Sequence, residues 1–107
     1  MQQNFEAVNN LDSQGKPAGG HVSGVGLSIQ WQNGPLGRGK DRLEPNGAFV
    51  ETVIAAALQR IEHYQDTEFR CRENALAITK LEEALHWLQS RTQRREVAGV
   101  EGTHKGT

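Results

Sequence analysis

A chain of 107 residues, 36% hydrophobic and 6% aromatic, suffices for one small domain but is lean for a self-sufficient core. Its one cysteine, Cys71, excludes a disulfide scaffold and any multi-cysteine zinc site. A net charge of −1, a pI near 6.4 and a mean hydropathy of −0.66 argue against bulk attraction to a nucleic acid polymer or an anionic membrane.

No stretch approaches the roughly 20 apolar residues of a membrane span, and no apolar run marks a signal peptide. The chain therefore reads as soluble and intracellular. Subunit contacts are expected to supply the missing core.

Residues 1–20 (MQQNFEAVNNLDSQGKPAGG) are polar and rich in Gly, Asn and Gln, and read as a flexible arm. Phe5, Val8 and Leu11 leave open a short turn that docks on a partner. From His21 to Gln32, Val25, Leu27, Ile29 and Trp31 alternate with Gly26, Ser28, Gln30 and Gln32, the period of a half-buried strand. Asn33-Gly34 is a turn signal, and Pro35 continues it. Leu36–Asn46 is a charged, glycine-containing loop with room for a short second strand, and Arg38, Lys40 and Arg42 concentrate positive charge there.

Pro45-Asn46-Gly47 opens a helix, with Asn46 read as its N-cap. Its apolar stripe is Val50, Val53, Ile54, Ala57, Leu58 and Ile61, and it ends near Tyr64. Asp66–Arg70 is a connection of the length that joins antiparallel helices, and the next helix is capped from Asp66 or Thr67. That helix, starting near Cys71, is the longest regular stretch. Cys71, Ala75, Ile78, Leu81, Leu85 and Leu88 form its apolar face, and Gly99 is a natural stop. The expected fold is α+β: a short antiparallel β element over about residues 22–43, packed with a two-helix antiparallel hairpin over about 47–65 and 71–98. Residues 21–107 form a single domain in this reading, as part of an obligate oligomer.

No histidine falls in a metal-ligand spacing, and there is no GxSxG, Walker or GxGxxG signature, so neither an enzyme nor a cofactor is expected. Arg91, Arg94 and Arg95 crowd the end of the long helix. Arg91 and Arg95 are spaced i, i+4 and leave one face, an arrangement suited either to phosphates or to complementing the helix dipole. Tyr64 and Asn74 lie at the opposite, corner end. They suit either a nucleobase, by stacking and edge hydrogen bonds, or plain corner packing and capping. Trp31 and Trp87 read as core or interface residues. One chain cannot join the two ends of its helix, but an antiparallel dimer can.

The runs NGPLGRG, EPNGAFVETVIAAALQRIEHYQ, F-x-C-x-E-N-A-x-A-I-x-K-L-E-E-A-L-x-W and R-T-x-x-R-x-x-x-G-V-E-G-T-H resemble the first-described Thoeris anti-defence family of bacteriophages, the Tad proteins. The hairpin is similar to that of phage anti-CBASS cyclic-oligonucleotide sponges. The resemblance spans about Gly24–His104 and is most specific over Phe69–Trp87 and the terminal RTQRREVAGVEGTH.

The resemblance implies a non-catalytic sponge for glycocyclic ADP-ribose, the signal that Thoeris enzymes make from NAD to trigger death of the infected cell. It implies homodimers that assemble into hexamers (trimers of dimers), a second class of site for cyclic di- and trinucleotides, and action in the cytoplasm of the infected bacterial host. By the same resemblance Arg91 and Arg95 bind pyrophosphate, Asn74 contacts adenine and Tyr64 stacks on it. Many members carry Phe at that position, and Tyr keeps the stacking face. A further phosphate-contacting arginine is Arg38 or Arg42, and the exit segment Val100–His104, with Thr103 and His104, lines or closes a pocket. The alternative of another class is a helical module that binds a host protein.

Overall fold

The computed structural model describes residues 4–99. The chain divides into two compact units, with the boundary between Phe49 and Val50.

The first unit is built on a three-stranded antiparallel sheet, β1 (Glu6–Leu11), β2 (Pro17–Gly24) and β3 (Leu27–Trp31), in that order. Two strands thus occupy or begin in the stretch read as a flexible arm, and the β element starts at Glu6 rather than near residue 22. The Asp12 N–H donates to the Lys16 carbonyl (2.8 Å), and the Gly15 N–H to the Asp12 carbonyl (3.0 Å). The Asp12 carboxylate accepts from Gln14 N–H and Lys16 N–H at 2.8 and 3.0 Å. Gly15, at φ 77°, completes the turn.

The expected single strand over His21–Gln32 is two strands folded back at Val25–Gly26, with Gly24 opposite Leu27. Alternation runs unbroken through this tight turn, so periodicity does not reveal it. The β1–β2 register shifts between Asn9 and Leu11. A side chain at Gly20 would collide with the Val8 carbonyl, so only glycine allows this approach.

β3 is flanked on its other side by a short parallel bridge, Trp31 with Ala48. Ala48 N–H donates to Gln30 (2.7 Å), and Gln32 N–H to Ala48 (3.0 Å). A Cβ on Gly47 would lie 2.7 Å from the Gln30 carbonyl oxygen, which explains the glycine.

Asn46 is not a helix cap. Its Oδ1 accepts from Asn33 N–H (2.8 Å), its Nδ2 donates to the Asn33 carbonyl (3.0 Å), and its own N–H donates to Gln32 Oε1 (2.8 Å). The side chain is committed to closing the loop, so the first helix begins at Val50, later than expected.

The second unit is a helical hairpin, α1 (Val50–Gln65) against α2 (Arg72–Val97). Val53, Ile54, Leu58 and Ile61 on α1 and Ile78, Leu81, Leu85 and Leu88 on α2 are half-buried, as the 3.6-residue periodicity predicts. α2 is capped by Cys71, whose Sγ accepts from Asn74 N–H (3.4 Å), rather than from Asp66 or Thr67. It stops as expected, with Gly99 at φ 74°. None of the described residues is a fully buried hydrophobic side chain.

Candidate functional site: the two ends of the hairpin

The corner between the helices is organised by one side chain. Gln65 Oε1 accepts from Cys71 N–H (2.9 Å), and its Nε2 donates to the Cys71 carbonyl (3.1 Å). This amide mimics a strand partner and fixes where α2 begins. Thr67 Oγ1 donates to the Tyr64 carbonyl at 2.6 Å and accepts from Phe69 N–H at 3.1 Å, folding the connection on itself.

Tyr64 and Asn74 therefore sit on the two sides of one short, internally bonded corner, as expected. Asn74 is half-buried, and its Nδ2 donates to the Phe69 carbonyl (3.5 Å). Its Oδ1 has no protein partner among the described residues, which leaves an acceptor for a ligand.

Tyr64 is 38% exposed. Arg60, one helical turn earlier, donates from Nε to the Tyr64 hydroxyl (3.1 Å), and its guanidinium carbon lies 4.9 Å from the ring centroid. This cation–π contact orients the ring. Sequence reading passed over Arg60, although the i, i+4 spacing to Tyr64 was a usable signal.

The other end of α2 carries Arg91, Arg94 and Arg95. Arg91 and Arg94 are exposed, whereas Arg95 is only 8% exposed and is engaged by other groups of the protein. The i, i+4 pair is thus asymmetric, one guanidinium in solvent and one sunk. At about 1.5 Å per residue, Arg91 and Arg95 stand roughly 26 and 32 Å along α2 from Asn74. A single hairpin does not bring the aromatic–amide corner and the arginines together.

Arg38 and Arg42 belong to the first unit. They flank a single 3-10 turn, Gly39–Asp41, and both are exposed. Arg42 N–H donates to the Gly39 carbonyl (3.2 Å), and Leu43 N–H to the Leu36 carbonyl (2.6 Å). Thr103 and His104 lie outside the described residues. Among the described residues no three His, Cys, Asp or Glu side chains gather as metal ligands, and no helix is long and apolar enough to cross a membrane.

The chain is thus a small α+β protein whose helical hairpin carries an aromatic–amide corner at one end and arginines at the other. Residues 25–93 match the family described as Acb2/Tad1, hairpin domain, and the chain belongs to that family. The match begins just after β2, so β1 and β2 precede the family's hairpin domain. The chain is also similar to a protein named Thoeris anti-defense 1 from Bacillus phage SBSphiJ7, 58% identical over 60 residues. Those residues are 56% of this chain and 42% of that relative, so the match spans less than half of the relative's length.

Proposed function

We propose that this is a phage anti-defence protein that sequesters glycocyclic ADP-ribose without cleaving it, as a symmetric oligomer in the cytoplasm of the infected bacterium. Membership of the Acb2/Tad1 hairpin family carries the reading, and the name of the phage relative gives its direction. The distribution of groups on α2 supports it. Arg91 and Arg95 suit the pyrophosphate, and Tyr64 and Asn74 suit the adenine. The distance between them calls for an antiparallel second copy, whose arginines meet the first chain's corner. The lack of any fully buried hydrophobic side chain among the described residues also favours a chain completed by its partners.

Calorimetric titration with glycocyclic ADP-ribose tests this. Nanomolar binding, about 12 kcal/mol, is expected for the wild type, with a loss of at least about 100-fold in Arg91→Ala from a charge-assisted pair to phosphate. Absence of heat with intact protein would sink the reading and favour a module that binds a host protein.

The family description joins Acb2 to Tad1, which favours one additional reading: a separate oligomer site for cyclic di- and trinucleotides. Such ligands binding equally to the wild type and to Arg91→Ala would establish two sites. Binding lost together with that of glycocyclic ADP-ribose would reduce them to one.

A further inference from the structure

The chain contains two Asn-Gly bonds, Asn33-Gly34 and Asn46-Gly47, and the fold joins them in one clamp. In such a dipeptide the asparagine side chain is open to attack by its own main chain, because glycine leaves the following amide nitrogen unshielded. The two bonds are alike in sequence and opposite in environment.

The Asn46 carboxamide is held at both ends, Oδ1 by the Asn33 N–H (2.8 Å) and Nδ2 by the Asn33 carbonyl (3.0 Å). Its Cγ cannot turn toward Gly47 without breaking both bonds. Gly47 is also hemmed in, since a Cβ there would lie 2.5 Å from the Trp31 carbonyl oxygen and 2.7 Å from that of Gln30.

Asn33 is the reverse. Its main chain carries the clamp, while its exposed side-chain amide has no partner among the described residues. The Gly34 N–H likewise donates to no described group, and a Cβ on Gly34 would meet nothing within 4 Å. The peptide carbonyl between the two residues accepts from Asn46 Nδ2 at 3.0 Å and from Gln32 Nε2 at 3.4 Å. Both bonds draw electron density from the peptide nitrogen and make its proton easier to lose. The nucleophile is activated, the electrophilic carbon is free to swing about Cα–Cβ, and there is room for a ring.

We propose that Asn33 is a self-modification site, converted by intramolecular deamidation to aspartate and isoaspartate, while Asn46 is spared. The Gly34 nitrogen gives its proton to hydroxide and attacks Asn33 Cγ. The new N–C bond closes a succinimide, the bond from Cγ to the side-chain nitrogen breaks, and ammonia leaves with a proton from water. Water then opens one of the two ring carbonyls. One opening gives aspartate. The other gives isoaspartate, whose main chain runs through Cβ and Cγ. No oxidant or reductant takes part. Either product adds a negative charge to a chain of net charge −1, at the root of the loop that holds Arg38, Lys40 and Arg42. In isoaspartate the oxygen held by Asn46 belongs to a free carboxylate, and the loop leaves from the side-chain carbon instead.

Ageing the full chain at mildly alkaline pH in heavy-oxygen water tests this, with tandem mass spectrometry to place the modification and enzymatic methylation to count isoaspartate. In the native chain Asn33 should take up heavy oxygen. Asn46 should react at least about tenfold more slowly, because two hydrogen bonds must break first. In urea the two should react at similar rates, since only the fold separates them. Asn33→Gln keeps an amide but lengthens its arm, and should remove the native-state isoaspartate, with circular dichroism verifying the fold. Native Asn33 that stays unmodified while it reacts in urea would overturn the proposal. So would equal native rates at Asn33 and Asn46, or isoaspartate that persists undiminished in folded Asn33→Gln.

Discussion

Gln65 spends both ends of its side-chain amide on the backbone of Cys71, and no other residue at the corner makes that connection. Replacing it with Ala leaves the exposed Cys71 N–H to water, while the Cys71 carbonyl keeps the Ala75 N–H, at a cost of about 0.5–1.5 kcal/mol. Urea unfolding of Gln65→Ala should show that loss, and an unchanged midpoint would mean that the corner is held by packing alone. Tyr64→Phe removes only the hydroxyl that accepts from Arg60 and keeps the ring face. Its affinity for glycocyclic ADP-ribose should stay within about threefold of wild type, whereas Tyr64→Ala should lose about 1–3 kcal/mol of stacking. Equal losses in the two variants would assign the hydroxyl a direct role. At this scale the sequence was partly legible. Tyr64 and Asn74 fall at the corner because helix lengths can be counted. Asn46 was misread because a good N-cap residue is equally good at bridging loop backbone, and only the fold shows that its amide is used on Asn33.

The helices were readable because each buries one stripe, and burial at a 3.6-residue period leaves a mark in the sequence. β1 left none: all six of its residues are exposed, so nothing forced an alternation of apolar and polar side chains. The available signal was the turn, Asp12 followed by Gly15, an Asp-x-x-Gly pattern that closes a three-residue hairpin loop. Hydrogen exchange distinguishes a strand from a flexible arm. The β1 amides that point toward β2 should exchange slowly, and uniform exchange at the intrinsic rate from Glu6 to Leu11 would contradict the strand. Gly47→Ala tests the opposite flank of the sheet. A methyl group there meets the carbonyls of Gln30 and Trp31, so the variant should lose about 1–3 kcal/mol. Full stability would mean that the bridge to Ala48 readily gives way.

For the molecule as a whole, the composition is lean for a core, and none of its described hydrophobic side chains is fully buried. The long α2 separates two chemically distinct ends by more than a small ligand can span, and the proposed antiparallel second copy would reunite them. Complementation exposes this shared site. Chains carrying Asn74→Ala and chains carrying Arg95→Ala should each bind poorly, yet their mixture should regain about one working site per heterodimer. No recovery would confine each site to one chain. The central claim, sequestration without chemistry, is tested most directly by saturating the protein with glycocyclic ADP-ribose, removing the excess, denaturing it by heat and identifying what is released. Release of intact ligand in near-stoichiometric amount is the predicted result. Release of cleaved ligand, or of none, would contradict it.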